Sequence, residues 1–180
     1  MSIWGKLLAG TFGFALGGPI GAMLGVIAGH SVDRIRNQKT DSNIASNSPQ
    51  EIITIGIIIL AAKLAKADGQ VTTDEISAFK EKFKIPPDFQ SDVSKIFNEA
   101  KKSSDDYHQY AQQIGMLFRG QPQVLEQILN LLFYIAEADG EISDSEIVFI
   151  QNCSDYFGLN KAQYESCLLY TSDAADDTTG

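Results

Sequence analysis

One segment of this chain occurs twice, 71 residues apart. Residues 65–76, AKADGQVTTDEI, are answered by residues 136–147, AEADGEISDSEI. The apolar positions ahead of them pair as well: Ile57 with Ile128, Leu60 with Leu131 and Leu64 with Ile135. A repeat at a fixed offset, with apolar residues at helical spacing, means two related helix-turn-helix units. Capping accounts for most of the repeated segment. Gly69 and Gly140 suit the left-handed conformation that ends a helix. Thr72 with Glu75, and Ser143 with Glu146, have the spacing of capping boxes. Val71 and Ile142 precede the caps, and Ile76 and Ile147 stand where a hydrophobic staple would close.

The aspartates of the repeat are not explained in this way. Asp68 and Asp139 fall at helix C-termini, where the helix dipole disfavours negative charge by some tenths of a kcal/mol. Two roles are open: a side-chain hydrogen bond to the loop backbone, or a divalent metal. The run D-G-x-[VI]-x-x-x-E resembles the second half of an EF-hand loop. The first half fails, because its opening ligand positions hold Leu64 and Ile135, so a normal EF-hand is excluded. A shared site of Asp68, Glu75, Asp139 and Glu146 is the metal alternative if the two loops meet; no other cofactor is expected.

The rest of the body reads as helices. Ser48-Pro49-Gln50-Glu51 opens one with a cap, a first-turn proline and a box acid. Its continuation to Ala67 is apolar almost all round, which predicts the central buried helix of a bundle, although it contains Lys63 and Lys66. Further helices are expected over about 73–84, 88–102, 105–119, 122–138 and 144–157, and a last one opened by Asn160 with Gln163. No stretch alternates like a strand. The body, residues 50–166, is thus an all-α bundle of about seven helices.

The N-terminus is of another kind. Leu7 to Gly29 carries no charge. As a helix it would span roughly 35 Å, enough for the roughly 30 Å hydrocarbon core of a bilayer. Gly13, Gly17, Gly21, Gly25 and Gly29 recur every fourth residue. Such a stripe lets a second helix approach closely in lipid, which points to self-association through the anchor. In water each of these glycines would cost about 1 kcal/mol relative to alanine. A helical hairpin or re-entrant segment broken near Gly17-Gly18-Pro19 is the alternative to a single span. Residues 1–31 are therefore read as a glycine-zipper transmembrane anchor and 32–49 as a polar linker. Arg34, Arg36 and Lys39 crowd the C-terminal flank, so the positive-inside rule puts the body in the cytosol.

Charge and cysteines narrow the class further. The net charge of −9 argues against a nucleic-acid partner, which needs a basic face. Cys153 and Cys167 lack metal-ligand spacing and suit a reducing compartment. His30 and His108 are far apart. No nucleophile with its base, no phosphate loop and no ligand cluster with histidine supports an enzyme.

The doubled ADG-x-[VI]-[ST]-x-x-E-I motif in an all-helical body resembles the TerB-like (tellurite-resistance) domain. The N-terminal GKLLAGTFGFALGGPIGAMLGVIAGHSVDR resembles the anchor of DjlA-type co-chaperones, the membrane-anchored DnaJ-like proteins of Gram-negative bacteria. That resemblance implies the order anchor, linker, TerB-like domain and C-terminal J domain, with single-pass placement in the bacterial inner membrane and anchor-driven dimers. It implies an Hsp70 (DnaK) partner only for a protein with its J domain, whose His-Pro-Asp tripeptide does not occur in these 180 residues. The TerB-like body would then be a regulatory or docking module. A stand-alone, membrane-tethered TerB-like protein of a metal or envelope stress response is the alternative. From Cys167 to Gly180 the composition shifts to Thr, Ser, Ala and Asp, as in translated adapter read-through. Residues 167–180 are accordingly expected to be a non-native tail that interrupts the last helix of a truncated chain.

Overall fold

A computed structural model describes residues 18–29, 49–67, 69, 71–85, 87 and 90–176, with only the backbone of residues 24, 25, 27–29, 49–52, 75, 139 and 171–176. Among the described residues there are eight α-helices, one short 3-10 turn and no strand. The helices are α1 (Gly18–Gly29), α2 (Pro49–Ala67), α3 (Thr73–Phe83), α4 (Gln90–Ala100), α5 (Tyr107–Leu117), α6 (Pro122–Ala136), α7 (Asp144–Phe157) and α8 (Lys161–Asp176). The 3-10 turn, Glu137–Asp139, lies between α6 and α7.

Helix α2 is the axis of the bundle. It packs against α4, α5, α6 and α7, and every side chain from Ile55 to Ala65 is buried. A helix that is apolar all round has no face to give to water, so neighbours must surround it. Around it α5 pairs with α7, and α6 with α8. Gly115 sets the first of these contacts. A Cβ at Gly115 would stand 2.3 Å from the carbonyl oxygen of Tyr156, so only glycine lets the two backbones approach this closely.

The helix ends follow local chemistry. Lys84 ends α3 with a backbone φ of 43°, the one positive value among the described non-glycine residues. Gly158 ends α7 in the left-handed region, its N–H reaching Asp155 O at 3.0 Å while Leu159 N–H reaches Ser154 O at 3.1 Å. Asn160 and Gln163 then cap α8 reciprocally at 2.9 and 3.0 Å, as their spacing predicts.

Helix α8 corrects one expectation. It runs unbroken past residue 167, through Asp176. Cys167 is buried, its Sγ 3.8 Å from Glu126 O. Nearby, Gln163 Nε2 donates to Glu126 Oε1 and Tyr164 sits against Phe133. The turn of helix at Cys167 therefore belongs to the packed body. A change of composition is not a helix stop: Ala favours helix, and Ser, Thr and Asp disfavour it only when their side chains compete for its backbone.

A lysine is buried at the centre of the bundle. Lys63 is only 1% exposed. Its Nζ donates to the carbonyls of Ala100, at 3.2 Å, and Ser103, at 2.9 Å, and pairs with the carboxylate of Asp106. It also lies 4.9 Å from the Tyr110 ring centre. The ammonium meets the free carbonyl end of α4, where the helix dipole favours a cation. Burial, and then the Asp106 carboxylate beside it, push the Tyr110 hydroxyl up to about 12.

Two substitutions test these contacts. Lys63→Ala leaves two carbonyls and a carboxylate without their donor and is expected to cost about 3 kcal/mol in urea unfolding. Gly115→Ala forces α5 from α7 and is expected to cost about 2 kcal/mol in the same measurement, without loss of helical circular dichroism at low urea.

Candidate functional site

The repeated turns are built alike. Gly69 and Gly140 have φ of 92° and 97°, and a Cβ at either would meet nothing within 4 Å. Glycine is there for its backbone angle alone. The Gly69 N–H reaches Lys66 O, and the Gly140 N–H reaches Glu137 O, each at 2.9 Å. Helix α3, which follows the first turn, packs against the 3-10 turn of the second. The duplication thus brings one motif onto the other.

Of the four proposed metal ligands, Glu146 is the one whose side chain is described. It is buried, and its Oε2 accepts from Ser143 N–H at 2.9 Å and Ser143 Oγ at 2.8 Å. Glu146 N–H in turn donates to Ser143 Oγ at 3.3 Å. That is the capping box expected from the spacing, and it fully accounts for one oxygen of this carboxylate. Asp68 lies outside the described residues, and for Glu75 and Asp139 only the backbone is described. Among the described residues no group of three acids, histidines or cysteines gathers to hold an ion.

The glycine-rich segment has an unexpected seat. Gly13 and Gly17 fall outside the described residues, as do residues 30–48, and Gly25 and Gly29 are described as backbone only. What is described, α1, is 12 residues long, about 18 Å. No described helix is long and apolar enough to cross a membrane. Helix α1 packs on α4 and α5, with Ile20, Gly21 and Met23 buried. The Ile20 N–H, an unpaired donor of the first turn, is taken by Gln113 Oε1 at 2.9 Å. Gly56 on α2 makes room below: a Cβ there would stand 2.7 Å from Ile114 Cδ1 and 3.6 Å from Ile20 Cδ1. Ala22, Met23 and Val26 share a cavity of about 320 Å³ with Lys63, Asp106 and Tyr110. Sequence reasoning missed the Lys63 cluster. Its signal was present: a lysine in a helix otherwise apolar all round must find acceptors inside.

Comparisons with known proteins match two family models along the chain. Residues 54–169 match the family model of tellurite resistance protein TerB, which extends past the expected body end at 166. Residues 1–48 match that of the co-chaperone DjlA transmembrane domain. Among curated proteins, the chain is 26% identical over 179 residues to co-chaperone protein DjlA of Photobacterium profundum, covering 92% of this chain and 64% of that protein. It is 23% identical over 173 residues to that of Photorhabdus laumondii, covering 93% and 63%. For Legionella pneumophila the identity is 24% over 165 residues, covering 87% and 55%. The chain thus spans less than two thirds of the length of these relatives. No solved structure matches it. With a DjlA transmembrane-domain match followed by a TerB match over more than half of its length, the chain belongs to the TerB family in its DjlA-type arrangement.

Proposed function

We propose that this chain is the membrane-anchoring and docking part of a DjlA-type co-chaperone. One observation carries the proposal: the transmembrane-domain match and the TerB match together cover about nine tenths of the chain, and relatives named co-chaperones align over about the same share. Residues 1–31 insert as a single pass in the inner membrane, with the basic flank Arg34, Arg36 and Lys39 holding the bundle in the cytosol. The glycine row from Gly13 to Gly29 is the self-association face. The helical body is the docking module, and Hsp70 (DnaK) is engaged through a J domain in the further length that the relatives have.

Fractionation and a reporter of association test the two halves of this proposal. Expressed in a Gram-negative host, the chain is expected in the inner-membrane fraction after alkaline carbonate washing, and deletion of residues 2–31 is expected to release it. Recovery of the full chain in the wash would overturn the anchor. Gly17→Leu and Gly25→Leu are expected to lower signal in a membrane-association reporter at least several-fold, by holding the helices apart. An unchanged signal would mean that the glycine row is not the interface.

A further inference from the structure

A second cavity, of about 330 Å³, opens between α3 and α4. Its floor is apolar, formed chiefly by Phe79, Val93 and Phe97. The Phe79 and Phe97 rings pack against each other, their centres 5.4 Å apart and their planes tilted by 53°, and form an aromatic wall of the cavity. Three cations stand around it: Lys80, Lys84 and Lys101. No acidic residue lines it among those described.

That clustering is unusual for this chain, whose net charge is −9. Two lysines of α4 and the turn after it are neutralised: Lys95 by Asp92 at 2.7 Å and Lys102 by Glu99 at 2.6 Å. Lys80, Lys84 and Lys101 have no carboxylate partner among the described residues. Lys84 joins them through the left-handed backbone that ends α3, a conformation uncommon for a residue with a side chain.

We infer that this cavity is a binding site for a small aromatic carboxylic acid. A ring lies in the cavity against the Phe79–Phe97 wall, where edge and offset contacts are favourable. The carboxylate stays at the mouth, among the lysines. The volume lies at the lower end of the range for small-molecule sites, which fits one ring system and is too small for a two-chain lipid. The apolar floor supplies most of the affinity, and the lysines select for negative charge. Elsewhere the acidic surface repels such a ligand, so the local field draws it to this mouth.

The full chain in neutral-lipid nanodiscs is titrated with 2-naphthoate, naphthalene-2-methanol and 2-naphthylmethylammonium, with empty nanodiscs as blanks. Saturable naphthoate binding is expected, about tenfold tighter than that of the alcohol, with the ammonium weakest. Lys80→Gln combined with Lys101→Gln should bring naphthoate down to the level of the alcohol. Ser94→Trp at the rim should abolish binding of both; Asn98→Trp serves the same purpose if Ser94→Trp does not fold. Equal affinity for acid and alcohol would overturn the inference. So would binding that survives a folded tryptophan variant, or no saturable binding above the blank.

Discussion

The bundle is organised around one buried ammonium. Bringing a charged lysine into an apolar helix costs several kcal/mol unless acceptors are already in place. Here they come from three different places in the fold. The end of α4 gives Ala100 O, the connection gives Ser103 O and the Asp106 carboxylate, and α5 gives the Tyr110 ring. Apolar packing is permissive about register, since one hydrophobe can replace another at small cost. A cation with fixed acceptors is not. Lys63 thereby fixes how α2 sits against α4 and α5, and the contacts of α6 and α7 with α2 are arranged around that choice.

Much of this was legible along the chain because helix ends are local events. The Ser143–Glu146 box, the Asn160–Gln163 box and the turns at Gly69 and Gly140 are each decided by residues three or four apart. The central position of α2 was legible for a related reason: a helix without a polar face can only be surrounded. The end of α8 was not legible. Residues beyond Cys167 look unlike the rest, yet Cys167 and Tyr164 are held by Glu126 and Phe133, some 30 to 40 residues away. Composition carries no record of such partners. The same applies to Gly115, whose need for glycine arises from a carbonyl on another helix.

The repeated acids show how a functional hint and a structural cause can share residues. Glu146 looked like a ligand and also like a cap, and its two bonds to Ser143 meet the second description in full. Sequence spacing alone cannot separate the two, because the same glutamate can close a capping box or offer its carboxylate to a cation. The lysines at the α3–α4 cavity present the opposite case. In the sequence they are ordinary surface cations, and they become a group only when two helices meet.

The seat of α1 has a consequence for exchange between water and lipid. Met23 and its neighbours form one wall of the cavity over Lys63, Asp106 and Tyr110. Any transfer of this helix to a bilayer would remove that wall and open Lys63 further to water. The buried residues Ile20 and Met23 would exchange one apolar environment for another, and the body would bear the hydration. If the proposed anchor inserts in a bilayer, its partitioning is coupled to the dielectric around Lys63, because the same twelve residues also pack on the bundle.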